Sequence, residues 1–159
     1  MALIVEDGTG LLTAESYISV SDADAYHSLF GNTEWAGYSS SEKEVALRRA
    51  TVYIDSNYSF LGHKLKLSQR LEWPRYSYAD YEQWPEVDVQ RACCELALRA
   101  AAGQLIEDGP SQVVLREVIG PLRTDYAWKD PEIKYPIVDR LLGKFTLNNS
   151  TTVRIGLTG

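Results

Sequence analysis

Cysteine is scarce in this chain: two among 159 residues, and the two are neighbours, Cys93 and Cys94. They fall in a helical pattern, where adjacent side chains point about 100° apart, so they are poorly placed to pair with each other. No disulfide framework is available, which fits a reducing compartment. Histidine is as rare. His27 and His63 stand far apart, with no cysteine or histidine at ligand spacing beside either, so no metal site is expected. Positive charge is in deficit: 16 Lys+Arg against 22 Asp+Glu give a formal net charge of −6. Because affinity for phosphate backbones comes mostly from Lys and Arg releasing counterions, this weighs against non-specific DNA binding. Continuous apolar runs of membrane-spanning length are absent. The opening MALIVEDGTG lacks the basic region and long apolar stretch of a signal peptide, so a soluble chain made in the cytoplasm is expected.

Catalytic signatures are missing as well. The chain has no G-x-S-x-G elbow, no Walker A loop and no G-x-G-x-x-G. The DGTG at 7–10 is too short, and lacks the strand–helix context, to cradle phosphate. Carboxylate pairs such as Asp22/Asp24 and Glu86/Asp88 each fall in an expected first helical turn, where the helix dipole accounts for them. No catalytic residue and no cofactor are expected.

What the chain does contain is helical periodicity. Residues 1–20 read as an extended lead-in turning at Gly8 and Gly10, with Tyr17, Ile18 and Val20 as a short strand or packed arm. A short helix follows, with Ser21 as N-cap, Asp24 three residues on, Gly31 past its end, and Ala25, Tyr26, Leu29 and Phe30 facing inward. GNTEWAGYSS reads as a loop whose Trp35 and Tyr38 cover the core. Ser41 and Glu44 form a capping-box pattern opening a helix over 42–57, with Ala46, Leu47, Ala50, Tyr53 and Ile54 on one face and Arg48, Asp55 and Ser56 off it. A short helix is expected over 66–72, ended by Pro74.

The clearest element is PEVDVQRACCELALRAAAGQLIEDG. It starts near Pro85, buries Val89, Cys93, Leu96, Ala97, Ala100 and Leu105, and carries Arg91, Glu95 and Arg99 as a charged stripe. About 22 residues would make a rod of roughly 33 Å. The period then changes to two around Gly120-Pro121, a paired-strand signal in which Pro121 disfavours a tight two-residue primed turn. A last helix is predicted over 136–142, with Ile137, Leu141 and Leu142 inward. The end, TLNNSTTVRIGLTG, is polar and β-branched. Val153, Ile155 and Leu157 alternate there, so the tail reads either as disordered or as a strand that orders on a partner. The expected fold class is therefore mainly α: a small bundle of about four helices, a β-hairpin near 112–128 after the longest helix, and an extended C-terminal tail. The helical domain is placed at 1–143 and the tail at 144–159.

One stretch stands apart. RLEWPRYSYADYEQWP, residues 70–85, holds Trp73, Tyr76, Tyr78, Tyr81 and Trp84 with Arg70 and Arg75 among them. Rings stack on bases and guanidinium groups hold phosphates, so this is a composition suited to a single-stranded nucleic-acid platform. It equally suits a protein–protein anchor. Trp73 and Pro74 are expected to pack on the domain, with Arg75 bonding a carboxylate or carbonyl. The candidate interface residues are Arg75, Tyr76, Tyr78, Tyr81 and Trp84, joined by Val153, Ile155 and Leu157 of the tail. On the nucleic-acid reading, Lys64, Lys66, Arg70 and Arg75 would form one exposed cationic surface with these rings.

Taken in order, IVEDGTGL, AESYISVSDADAYH, NTEW, EVALRRATVYID, LEWPR, RACCELALRA, VIGPLRTDY and YPIVDRLLG resemble a family of tailed-bacteriophage head–tail connector (adaptor, or head-completion) proteins. Many of its members carry the label DnaT-like single-stranded DNA-binding protein. The resemblance covers about residues 4–143. It implies a structural virion protein at the head–tail junction, synthesised in the host cytoplasm. Such a protein forms a homo-oligomeric ring, commonly a dodecamer in that family, under the portal protein. The ring extends the DNA channel, passes packaged DNA without sequence-specific contact, and docks the next neck or tail component. The acidic balance suits such a lumen, because it repels DNA. No cofactor, catalytic residue or membrane contact comes with the resemblance. The alternative implied by the label is a single-stranded DNA-binding module.

Overall fold

A computed structural model describes residues 2–76, 87–105, 116–119, 122–125 and 135–146. Mainly helical architecture is observed. Among the described residues five helices run in order α1 (Val20–Leu29), α2 (Thr33–Ala36), α3 (Ser40–Asn57), α4 (Val87–Ala102) and α5 (Pro136–Leu142), the last continuing into a 3-10 turn at Gly143–Phe145. Two short antiparallel pairs accompany them: β1 (His63–Lys64) with β2 (Arg75–Tyr76), and β3 (Arg116–Ile119) with β4 (Leu122–Asp125). Among the described residues, no helix is long and apolar enough to cross a membrane.

The core is the α3–α4 contact. Ala46, Leu47, Ala50 and Ile54 of α3 are buried together with Val89, Cys93, Leu96, Ala97 and Ala100 of α4. Both predicted faces are therefore correct, and their alanines allow close helix approach. Each fully buried Leu, Ile or Val contributes roughly 1.5–3 kcal/mol. The Thr51 hydroxyl lies 3.5 Å from the Cys93 sulfur across the interface. From α5, Val138 and Leu142 close the core. Ile137, expected inward, is instead 43 % exposed, because Pro136 sets the helix start and the inward positions fall one residue later.

Several boundaries move from their expected places. α1 is capped by Ser19, whose hydroxyl accepts from the Asp22 amide at 3.1 Å, and not by Ser21. α3 opens on a capping box of Ser39 and Glu42, not Ser41 and Glu44. Each region holds the S-x-x-acid pattern twice, and the earlier copy wins both times. The later acids then have other partners: Asp24 accepts from the Trp35 indole at 2.6 Å and pairs with Lys43 at 2.9 Å, and Glu44 pairs within α3 with Arg48 at 3.4 Å, an arginine that also pairs with Glu15 at 3.0 Å. The α1 face rotates accordingly. Ala23 and His27 are buried, whereas Ala25, Leu29 and Phe30, expected inside, are exposed. The expected loop at 31–40 contains α2, which brings Trp35 into the core as anticipated. α4 stops at Ala102 before Gly103, short of the expected stop at Gly109-Pro110, because glycine adds no side chain to pack and costs backbone entropy in a helix. The expected helix at 66–72 is a turn.

In the second hairpin Ile119 pairs with Leu122, so the pairing predicted around Gly120-Pro121 is present. The Gly120-Pro121 turn itself and Pro85 lie outside the described residues, as does the tail with Val153, Ile155 and Leu157.

Two irregular regions cover one end of the helices. In the N-terminal loop, the buried Glu6 carboxylate accepts from the amides of Gly8, Gly10 and Leu11 at 3.0, 2.8 and 2.9 Å. Gly8 and Gly10 adopt φ of 89° and 74°, which gives them their place there. The second region is the chain from Tyr58 to Tyr76, pinned by Phe60 and Trp73, whose rings meet edge-on at 5.5 Å. Phe145 meets Trp73 at 5.1 Å.

Candidate nucleic-acid interface

The β1–β2 pair is the base of one long hairpin running from His63 to Tyr76. His63 pairs with Tyr76 and Lys64 with Arg75. The Leu65 amide donates to the Pro74 carbonyl at 3.1 Å. Between these lies a turn at 66–69, closed by the Gln69 amide donating to the Lys66 carbonyl at 3.2 Å. Gln69 is buried and acts as the turn's brace. Its Oε1 accepts from the Lys66 amide at 2.9 Å, and its Nε2 donates to the carbonyls of Leu71 and Pro74 at 2.9 and 3.0 Å.

Arg75 is bonded inward, as its expected role of bonding a carboxylate or carbonyl requires. Its guanidinium donates to the carbonyls of Leu61 at 2.9 Å, Gly62 at 2.9 Å and Phe60 at 3.3 Å, and to the Glu72 carboxylate at 2.8 Å. Glu72 also pairs with Lys64 at 2.9 Å. Trp73 and Pro74 are buried, as expected.

Of the four cations expected on one exposed surface, Arg75 is therefore buried, and Lys64 is half-buried beside Glu72. Lys66 and Arg70 are exposed. Each has a carboxylate nearby. Bonds from Thr9 hold Asp7 below its ordinary range, with Lys66 adding to the effect. The bond from Arg48 does the same for Glu15, with Arg70 adding to it.

The aromatic part of the expected surface is represented by Tyr76. Its ring lies 5.6 Å from the His63 ring at an angle of 38°, with His63 exposed and Tyr76 half-buried. Tyr78, Tyr81 and Trp84 lie outside the described residues. Sequence reasoning singled out Arg75 and Tyr76 but missed Gln69 and Glu72, the two side chains that shape the hairpin. Glu72 was legible as the one acid among four cations. A buried glutamine has no pattern of its own.

Behind the hairpin, Asp55 of α3 joins the two irregular regions. Tyr17 donates to one of its oxygens, and the Glu72 amide donates to the other at 3.3 Å. The Trp73 amide in turn donates to the Tyr17 hydroxyl at 3.3 Å. Burial pushes the Asp55 carboxyl up to about 6, against the pull of the Tyr17 bond. The Tyr17 phenol is raised by burial and by Asp55. Burial pushes the Cys93 thiol up to about 11, so it is not a poised nucleophile, and raises Cys94 too. A cleft of about 450 Å³ lies on the far side of α3, lined by Arg48, Arg49, Val52, Tyr53 and Leu105. Among the described residues, no group of three His, Cys, Asp or Glu side chains is arranged to hold a metal ion.

Neither the curated proteins nor the solved structures offer a match to this chain. One family model does match, over residues 1–157, and its description is "Putative DnaT-like ssDNA binding protein". With the match spanning nearly the whole length, the chain belongs to this DnaT-like family.

Proposed function

We propose that the protein binds single-stranded DNA through the 63–76 hairpin, as a binding module without turnover. The observation that carries this reading is the His63–Tyr76 ring pair at the open end of the hairpin, with the cations Lys66 and Arg70 exposed along it. Rings and cations on one ribbon match what single strands offer, base faces and phosphates. The family description supports the same reading. The acidic balance keeps the electrostatic part small. With two exposed cations neutralising phosphates, the logarithm of the affinity for oligo-dT should fall with the logarithm of salt concentration at a slope of about −1.4. Fluorescence anisotropy across a salt series measures it. Absence of binding at low salt sinks the proposal.

A second reading follows from the resemblance to head–tail connectors: a ring of copies at the head–tail junction of the virion, between portal and tail. It is favoured by the exposure of Leu29 and Phe30 at the end of α1, at 83 % and 61 %, since exposed large side chains in one place mark contacts between proteins. Imaging portal-containing particles incubated with the protein tests it, and an empty head–tail junction counts against it.

A further inference from the structure

The tip of the hairpin has a property that its fold does not need. Leu67 is fully exposed. It stands on a turn held from beneath. Gln69 braces the turn through its bonds to Lys66, Leu71 and Pro74. The Arg70 amide ties it to the Leu11 carbonyl at 3.1 Å. A side chain at Gly10, whose φ is +74°, would meet Gln69 Oε1 at 3.0 Å, so the turn is seated directly on the N-terminal loop. The structure thus spends a buried glutamine and a glycine contact to hold in water a leucine that buries nothing. Lys66 stands immediately before it and Arg70 three residues after, both exposed. Leu12, next to the Leu11 anchor, is exposed as well.

We infer that Leu67 is an apolar wedge for unstacked bases, and that it makes the surface selective for single strands over duplexes. This rests on the single-stranded DNA reading and deepens it. The two cations alone would hold any phosphate backbone, single or double. An isobutyl group between them gains only where a base face is free to lie against it. An apolar side chain that enters a duplex has to unstack a base step first, at a cost of about a few kcal/mol. In a single strand base faces are free, so Leu67 meets one without that cost. The pre-organised turn lowers the entropy cost of presenting the wedge.

The test uses the full chain and three labelled probes: oligo-dT, an abasic strand of the same length, and a hairpin duplex of the same total charge. Binding is read by anisotropy for the wild type, Leu67→Ser and Arg70→Gln, with circular dichroism confirming that the exposed substitutions leave the fold intact. The expected result is that Leu67→Ser weakens oligo-dT binding about five- to ten-fold, on the scale of one base contact, and leaves the abasic strand and the duplex unchanged. Arg70→Gln weakens all three alike. Unchanged oligo-dT affinity in Leu67→Ser overturns the wedge while leaving single-strand binding standing. An equal loss on all three probes also overturns it. If the wild type binds none of the probes, the binding reading itself fails and the wedge with it. In that case Leu67 on its cation-flanked turn is an anchor for a protein partner.

Discussion

The N-terminal loop and the chain from Tyr58 to Tyr76 solve one problem with opposite charges. Both contain stretches whose backbone groups have no helix or strand to pair with. In the first, the buried Glu6 carboxylate gathers three amides, those of Gly8, Gly10 and Leu11. In the second, the buried Arg75 guanidinium gathers four carbonyls, those of Phe60, Leu61, Gly62 and Glu72. A carboxylate can only accept and a guanidinium can only donate, so each residue type fits the backbone groups left over in its own region. The two are not equal. Glu6 serves one local loop, whereas Arg75 joins segments 13 to 15 residues apart and also holds Glu72. The lesson is that a single buried charge can stand in for a missing ladder, and its worth scales with how many distant segments it ties.

Replacing Arg75 breaks the comparison most severely. Arg75→Met keeps much of the apolar stem but strands the four carbonyls and leaves the Glu72 carboxylate with Lys64 alone. The expected loss is about 3–5 kcal/mol, the scale for removing one partner of a buried charged network. Urea denaturation measures it, and a loss below about 1 kcal/mol would mean that water replaces the guanidinium freely.

Asp55 sharpens the comparison because it is a half-buried charge with only two donors, Tyr17 and the Glu72 amide. Its carboxyl is raised to about 6 in the folded protein, from an ordinary value near 3.8, chiefly by burial. The charges around it are Glu72, which disfavours its ionisation, and Lys64, which favours it. A raised folded value means that the stabilising contribution of the neutral form is fully present below about pH 4 and is lost as pH rises through about 6. Wild-type stability measured against Asp55→Asn should therefore rise by about 2 kcal/mol from pH 7 to pH 4.5. A difference that stays flat across that range contradicts the burial argument.

The smallest effect is expected at Glu6. Glu6→Gln keeps the shape and one accepting oxygen, but turns an NH2 group toward an amide that the carboxylate had satisfied. About 1–2 kcal/mol should be lost, and hydrogen exchange at the amides of Gly8, Gly10 and Leu11 should speed up before that of the α3 and α4 core. Uniform acceleration of all amides would show that the loop is not a separate unit.

The candidate site was only partly legible beforehand. Tyr76 and the burial of Trp73 and Pro74 follow from composition, because aromatics beside a proline in a short apolar stretch have to be placed somewhere. The inward turn of Arg75 was anticipated as a bond to a carboxylate or carbonyl, but its partners could not be named, since they lie 13 to 15 residues away on a different segment. The Lys64–Glu72 pair, which removes one cation from the surface, depends on the hairpin register, and a short irregular ribbon sets no register by pattern. The exposed Leu67 was hidden for the opposite reason: in KLKLSQRLEW it reads as one more apolar position of a short helix.

The chain's own pattern determined the helical class, the buried faces of α3 and α4, the start of α5 at Pro136, and the pairing around Gly120-Pro121. These rest on periodicity, which is local and repeated over many residues. Tertiary structure alone decided which of two equivalent caps opened α1 and α3, and with them the rotation that buries His27 and leaves Phe30 outside. Ser19 and Ser21, or Ser39 and Ser41, are nearly degenerate as caps. The choice between them fell to the acids two residues later: Asp24, whose partners Trp35 and Lys43 come within reach only once the helices have packed, and Glu44, whose neighbour Arg48 on the same helix also holds Glu15 of the N-terminal segment.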